Sequence, residues 1–153
     1  MLSVADRIEL AELSHRYAHF VDRREFELLA GVFTTDAELV MPDPPDTLGP
    51  ITSLTGRRAI IDSMHHLTDI PVTLHAVLGS VLVPGPAPEL ATGSVTAEAH
   101  HLTNHRDQHR DLVWYLHYED RYRRQDGQWL IARRALQIDW IETRPVRRCR
   151  TAN

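Results

Sequence analysis

The spacing of hydrophobic residues divides the chain into a helical first third and a strand-rich remainder. From Ser3 to Val21, apolar side chains recur every three or four residues, which predicts one long helix. Asp6 lies three residues after Ser3, a spacing typical of a capping box at the start of a helix. A shorter helix is predicted over residues 25–32 and a third over residues 58–67. The helices therefore come first along the chain.

From residue 70 onwards the pattern changes to long runs rich in β-branched and aromatic residues. Long strands are predicted over residues 70–83, 94–104, 112–124 and 129–141, and short strands over residues 37–41 and 51–54. Residues 70–83 are apolar on both faces, so we expect them to form a buried strand around which the fold is organised. Helices followed by strands indicate an α+β domain.

Two connections carry clear turn signals. Asp126-Gly127 predicts a hairpin turn, because this pair readily adopts the positive φ angles that such turns need. The proline-rich segment from Pro42 to Pro50 is predicted to be an irregular loop that acts as a lid over a cavity mouth.

Composition limits the function more than it defines it. The chain has 153 residues and a formal net charge of −4, so we expect one domain, residues 1–143, a basic tail, residues 144–153, and no nucleic-acid partner. Cys149 is the only cysteine, which excludes a disulfide framework and a thiolate metal cluster. No apolar run approaches the roughly 18 residues of a membrane span. We therefore expect no membrane partner and a cytoplasmic location.

Two residues are candidates for acid–base chemistry. Asp22 lies where the first helix is predicted to end, beside the negative end of the helix dipole, so helix capping does not explain it. His75 lies in the middle of a predicted buried strand, where its side chain should face an interior or a pocket. An imidazole held by a buried carboxylate is a suitable base near neutral pH. We expect Asp22, His75 and one later histidine, His100 or His101, to meet in an apolar cavity.

The order of elements and three short motifs resemble a known family, the SnoaL-like branch of the nuclear transport factor two-like superfamily. The motifs are Tyr17-x4-Asp22, Phe33-x2-Asp36-Ala37 and the Asp-Gly-Gln-Trp turn at residues 126–129. This branch includes scytalone dehydratase, bile acid dehydratase and lindane dehydrochlorinase. The resemblance implies a cone-shaped α+β barrel, with three N-terminal helices packed on a strongly curved, mostly antiparallel sheet. It also implies a homodimer or homotrimer formed through the outer sheet face.

The same resemblance implies roles for individual residues. Asp22 and His75 fall on a catalytic dyad, with His75 as the general base and Asp22 as its orienting partner. His100 matches a second catalytic histidine of scytalone dehydratase. Tyr17 matches a tyrosine that precedes the aspartate in bile acid dehydratase. His100 and Tyr17 are therefore expected to donate protons or to anchor the substrate.

Further residues are expected to shape the substrate site. Val21 and Met41 stand where scytalone dehydratase has its two water-holding tyrosines, so scytalone itself is not the expected substrate. Either Arg133 or Arg134 must face inward, since neighbouring strand residues point to opposite faces. The residues expected to contact substrate are Tyr115, Met41, Arg134 and His101. The expected substrate is a hydrophobic cyclic compound such as a polyketide, steroid or terpenoid.

Several of these residues also have a simpler structural interpretation. His75 could be a core histidine with both nitrogens satisfied, and Asp22 could be an ordinary turn residue. His100 and His101 are adjacent in a predicted strand, so only one of them can enter the cavity. The family match favours His100. Glu98 would share the face of His100 and could act as a second acid.

A metal site is a further alternative, because ten histidines are many for this length. His15 and His19 are four residues apart on one helix face and could chelate zinc, but no third ligand is obvious. We expect a surface pair, no metal and no cofactor.

Two functions from different classes are open. The first is a cofactor-independent lyase or isomerase, similar to a dehydratase or cyclase, that uses Asp22 and His75. The second is a non-catalytic ligand-binding or structural subunit, similar to the β-subunits of aromatic-ring dioxygenases, since fold alone does not determine function. A closed cone with Asp22 bonded to His75 would favour the enzyme, and a filled cone would favour the subunit.

Overall fold

A computed structural model describes residues 1–105 and 108–149, which form three α-helices and one six-stranded sheet. The helices are α1 (Val4–Arg23), α2 (Phe26–Ala30) and α3 (Arg57–Met64), and a 3₁₀ turn, His65–Asp69, follows α3. The strands are β1 (Phe33–Asp43), β2 (Thr47–Thr55), β3 (Val72–Pro84), β4 (Leu90–His105), β5 (Gln108–Gln125) and β6 (Gln128–Val146). This order confirms the predicted α+β class.

The sheet runs in the order β2-β1-β6-β5-β4-β3, and only the β1–β6 pair is parallel. Register shifts near Val77, Tyr115 and Arg121 bend individual strands, and the sheet curls without closing. Helix α1 packs against β3 and β6, and α3 packs against β1. We call the helix-covered side the inner face and the opposite side the outer face. The curved, mostly antiparallel sheet with packed N-terminal helices is the predicted architecture.

Helix α1 begins and ends as its sequence dictates. Asp6 and Ser3 form a reciprocal capping box that satisfies exposed backbone N–H groups at the start. At the other end Arg24 adopts the left-handed conformation, with φ of 60°, and its N–H bonds to the carbonyls of Phe20 and Val21. This cap stops the helix directly after Asp22 and Arg23.

The core lies between the helices and the inner face. Large side chains from both layers are fully buried there, among them Leu10, Leu13, Leu29, Phe33, Leu39, Ile60, Leu116, Trp129, Ile131 and Ile138. Each such burial contributes roughly 1.5–3 kcal/mol. The core fixes α1 against the sheet and thereby positions Asp22.

The structure corrects the predicted position of residues 70–83. They form most of β3, which is an edge strand and not a buried central one. Leu74, Leu78 and Val81 are 54%, 61% and 68% exposed. An apolar outer face looks the same in sequence as a second buried face, which explains the error. The predicted homodimer or homotrimer through this face stays a prediction.

The predicted loop from Pro42 to Pro50 is also corrected. β1 continues to Asp43 and β2 begins at Thr47, so most of the segment belongs to a β-hairpin. Pro50 is tolerated because β2 is an edge strand, and Pro42 lies at the register shift between Met41 and Asp43, so neither missing N–H need break a ladder. No irregular lid exists among the residues described in this segment.

The C-terminal hairpin follows the predicted turn and then extends further. Asp126 and Gly127 have φ angles of 50° and 82°, as the predicted hairpin turn requires. β6 continues to Val146, beyond the predicted end at Ile141, so the first residues of the predicted tail belong to the sheet. Across the described ranges, no helix is long and apolar enough to cross a membrane.

Candidate active site

A cavity of about 210 Å³ lies between α1, the 3₁₀ turn and the inner face of the sheet. Most of its wall is apolar and comes from Val21, Met41, Met64, Leu67, Ile70, Ala99, Leu112 and Leu136. The side chains with polar groups along the wall are Tyr17, His66, His75, His101, Thr103, Trp114 and Tyr118. A mostly apolar hollow with a few convergent polar groups is typical of a small-molecule site.

Asp22 and His75 meet at the wall of this cavity. The Nδ1 atom of His75 lies 2.7 Å from Oδ1 of Asp22, and the backbone N–H of His75 donates to Oδ2 over 2.7 Å. The side chain of His75 is only 9% exposed, and that of Asp22 only 17%. Because the carboxylate is an acceptor, it fixes the ring hydrogen on Nδ1. The second nitrogen, Nε2, has no protein partner among the described residues and carries the lone pair.

A short hydrogen-bond chain holds Asp22 in place. The hydroxyl of Thr73 donates to Oδ1 of Asp22 over 2.9 Å and itself accepts from Arg24 over 2.6 Å. Burial alone would raise the pKa of Asp22, but the bonds from His75 and Thr73 outweigh it and lower the pKa. Asp22 is therefore a carboxylate at neutral pH.

His101, and not His100, is the β4 histidine that joins His75 at the cavity wall. Its Nδ1–H donates to the carbonyl of Leu112 over 3.2 Å, and its ring lies 6.1 Å from that of His75. Burial and the neighbouring charge of His75 lower the pKa of His101 to about 4. His101 is therefore neutral at neutral pH and offers Nε2 as a hydrogen-bond acceptor.

Two tyrosines form the part of the wall next to the dyad. The ring of Tyr17 packs edge-on against His75 and Tyr118, with centroid distances of 6.4 and 5.9 Å. Burial raises the pKa of both phenols, so each keeps its proton and can act as a donor. Beneath them the Arg134 guanidinium lies 4.4 Å from the centre of the Tyr17 ring and 4.2 Å from that of Tyr118.

Arg134 does not reach the cavity surface, which corrects its predicted contact with substrate. Its side chain is fully buried and forms a two-pronged ion pair with Asp120, at 2.9 and 2.6 Å. Asp120 also accepts from Tyr122, and Arg134 donates to Ser14. The position of Arg134 between two aromatic rings makes it a support for the tyrosines rather than a ligand for substrate.

The structure places His100 and Tyr115 on the outer face, which corrects two more predicted positions. His100 bonds through Nδ1 to Asp111 at 2.8 Å, and its Nε2 lies 3.4 Å from Glu98. The hydroxyl of Tyr115 donates to Glu142, and its ring stacks on Trp140. Both residues are separated from the cavity by the sheet. Met41 and Tyr17 do line it, as expected of a substrate site.

The alternative metal site finds no support in the described part of the chain. His15 and His19 are exposed on α1. No group of three or more potential metal-ligating side chains occurs within residues 1–105 and 108–149.

Sequence reasoning missed Tyr118, Thr73 and Arg24. Tyr118 could have been found from the sequence, because residues 114, 116 and 118 are two positions apart in one strand and therefore share a face. The bond from Arg24 through Thr73 to Asp22 joins residues about 50 positions apart, 49 and 51 in sequence separation, and no local pattern indicates it.

Proteins with this architecture are known. No curated protein matches the sequence significantly. A candidate scytalone dehydratase from Novosphingobium aromaticivorans is 23% identical, with 98% of this chain and 93% of that chain covered and a TM-score of 0.76. A candidate aromatic ring hydroxylase from the same organism is 18% identical, with 95% and 96% covered and a TM-score of 0.76. The type-3 hexachlorocyclohexane dehydrochlorinase of Novosphingobium barchaimii is 17% identical, with 94% and 92% covered and a TM-score of 0.74.

At these identities the solved structures establish the fold. The family model described as a SnoaL-like domain matches residues 3–135, which include the dyad, both tyrosines and His101. The chain therefore belongs to the SnoaL-like domain family.

Proposed function

We propose that the protein is a cofactor-independent lyase or isomerase that acts on a small hydrophobic cyclic compound, with His75 as its general base. The observation that carries this proposal is the 2.7 Å contact between Asp22 and His75 at the wall of an apolar cavity. A carboxylate on Nδ1 leaves Nε2 as the basic atom and stabilises the imidazolium that forms when His75 accepts a proton.

The favoured reaction is an elimination. Nε2 of His75 takes a proton from a carbon of the substrate, the C–H electron pair becomes a C=C bond, and the bond to the leaving group breaks. The leaving group departs as water or as a halide ion, and Tyr17 or Tyr118 donates the hydrogen bond or proton that it needs. Positioned proton transfer of this kind contributes roughly 10²- to 10⁴-fold in rate.

The size of the cavity favours a compact substrate. An apolar cavity of roughly 150 Å³ holds a benzene molecule. A cavity of about 210 Å³ therefore suits a compound of one or two rings, and a four-ring steroid would project from the mouth. Neutral His101 can accept a hydrogen bond from a substrate hydroxyl.

The structural relatives support an elimination more than a structural role. Two of them are named as a dehydratase and a dehydrochlorinase, and both names describe elimination reactions. The alternative of a non-catalytic subunit predicts a cone filled by side chains. An open cavity, with an imidazole nitrogen that no described side chain occupies, favours the enzyme.

The test is hydrogen exchange catalysed at carbon. We would incubate the protein in D₂O with 2-indanone and 2-tetralone, two-ring ketones with acidic C–H bonds, and follow the loss of C–H signals by NMR. Exchange above the buffer rate is expected, and His75→Gln should return it to the buffer rate. His100→Gln, which changes a histidine on the outer face, is the matched control. Exchange that is absent, or equal in wild type and His75→Gln, would overturn the proposal.

A further inference from the structure

A second hollow, of about 500 Å³, opens where β5 begins and β6 ends. We call it the basic cleft, and its residues are Gln108, His109, Arg110, Thr143, Arg144, Pro145, Val146 and Arg147. It contains three arginines and one histidine. None of the described residues that form it is acidic.

The part of the basic cleft formed by Arg110 and Thr143 continues the candidate active site along the inner face. Thr103 pairs directly with Arg110 in the β4–β5 ladder, and Leu112 pairs with Thr143 in the β5–β6 ladder. Thr103 and Leu112 line the cavity, whereas Arg110 and Thr143 line the cleft. Paired residues point to the same face, and no register shift interrupts either ladder here. Arg110 therefore stands one row beyond the cavity wall, about 7 Å from Leu112 along the strand.

The cleft has positive charge that the described residues do not neutralise. Arg144 turns towards the outer face, where its Nε lies 3.6 Å from the carboxylate of Asp111, which partly balances its charge. Arg110 and Arg147 are exposed and have no ion-pair or hydrogen-bond partner among the described side chains. A guanidinium matches the planar, two-oxygen geometry of a carboxylate better than any other side chain does.

We propose that the basic cleft binds the anionic group of the substrate while the ring of the same molecule occupies the cavity. The substrate is then a cyclic carboxylic acid whose carboxylate is joined to the ring by a short chain of two or three carbons, long enough to reach Arg110. This inference rests on the proposed function, because it takes the cavity as the site of the ring.

The test compares an acid with its neutral amide. The probes are 4-phenylbutyrate and 4-phenylbutyramide, which have the same ring and chain, and binding is measured by calorimetry at low salt. The acid should bind the wild type several-fold more tightly than the amide. Arg110→Gln should weaken binding of the acid by roughly 2- to 5-fold, as expected for a solvent-exposed pair, and leave the amide unchanged. Arg110→Gln combined with Arg147→Gln should weaken it further, and added salt should have a similar effect.

Arg16→Gln is the matched control, because Arg16 is an exposed arginine on α1, outside both the cavity and the cleft. Equal binding of acid and amide, equal losses for both in Arg110→Gln, or no binding of either probe would overturn the inference. The deuterium exchange of neutral ketones does not involve the cleft. A negative result in the binding experiment would therefore not contradict the proposed role of His75 as the base. A negative result in the exchange experiment would still allow the preference for the acid to be measured.

Discussion

The chain contains two histidine–aspartate pairs of almost equal geometry on opposite sides of one sheet. His75 lies 2.7 Å from Asp22 on the inner face, and His100 lies 2.8 Å from Asp111 on the outer face. Both pairs are largely buried. They differ in the second ring nitrogen. That of His75 lies at a cavity wall and has no partner within the described ranges, whereas that of His100 lies 3.4 Å from the carboxylate of Glu98.

The difference shows that a histidine–aspartate contact does not by itself make a base. Both ring nitrogens of His100 are turned towards carboxylates, so neither faces a space that a substrate could occupy. The inner pair is built from the last turn of a helix and an edge strand, which leaves space beside it. The outer pair is built across the neighbouring strands β4 and β5, where Glu98 and Arg144 also approach it.

The largest expected effect is on proton transfer. His75→Gln and Asp22→Asn should each lower the rate of the catalysed exchange, His75→Gln by roughly 10²- to 10⁴-fold, because the base or its partner is lost. His100→Gln and Asp111→Asn should leave the rate within about 2-fold, as neither residue touches the cavity. NMR exchange rates check this directly. Similar losses for the two pairs would contradict the comparison.

The next prediction concerns stability and compares Arg134 with its neighbour in β6, Arg133. Arg134→Met leaves Asp120 as an uncompensated buried charge and should lower the free energy of unfolding by about 3–5 kcal/mol. Arg133 bonds to Glu38 on the outer face, where both side chains are partly exposed. Arg133→Met should therefore cost less than about 1 kcal/mol. Urea unfolding measures the free energy of unfolding of both variants. Equal losses would show that the buried ion pair of Arg134 is no more important for stability than the partly exposed pair of Arg133.

The third effect is a pH dependence of stability. The pKa of His101 falls from 6.5 to about 4 in the folded protein, so the unfolded chain binds more protons between these pH values. The free energy of unfolding should therefore fall as the pH drops from about 6.5 to 4, by up to about 3 kcal/mol.

His101→Gln should remove this part of the slope, as seen by denaturant unfolding at several pH values. His100→Gln is the control, because it leaves His101 in place and should keep the slope. A slope that survives in His101→Gln would mean that other groups cause it.

The smallest effect separates two tyrosines. Tyr17→Phe removes a donor from the cavity wall and should lower the rate by roughly 10- to 100-fold with little change in stability. Tyr115→Phe removes a surface hydrogen bond to Glu142 and should leave the rate unchanged. Steady-state rates on an identified substrate check both. Loss of activity in Tyr115→Phe would place the functional site on the outer face.

Sequence reasoning succeeded where a local pattern has one physical cause. The capping box at Ser3, the turn at Asp126-Gly127 and the order of helices and strands all follow from short-range chemistry. The end of the apolar periodicity placed Asp22 at the end of α1, and Asp22 became a candidate because helix capping does not explain a carboxylate there. The contact of Asp22 with His75 spans 53 positions, so no local pattern indicates it, and it was expected from the chemistry of the two residues and from the resemblance.

The failures have physical reasons as well. β3 has apolar residues on both faces, and sequence alone cannot tell a covered outer face from an exposed one. His100 was favoured over His101 by the family match. Alternation within β4 pointed the other way, since His101 shares its face with Val95, Ala97 and Ala99, which are all buried. The small apolar residues on the same face as His101 therefore indicated the cavity histidine more reliably than the family match did.

Arg24, the left-handed residue at the end of α1, limits the substitutions that this position can accept. Arg24 strains its own backbone, satisfies the carbonyls of Val21 and Asp22, and bonds to Thr73 beside the carboxylate. A glycine there would relax the main chain and at the same time remove the cation that offsets the negative helix terminus. A substitution that relaxes the backbone at position 24 would therefore also hold Asp22, and with it His75, less firmly. Backbone stability and the positioning of the base are coupled at this one residue.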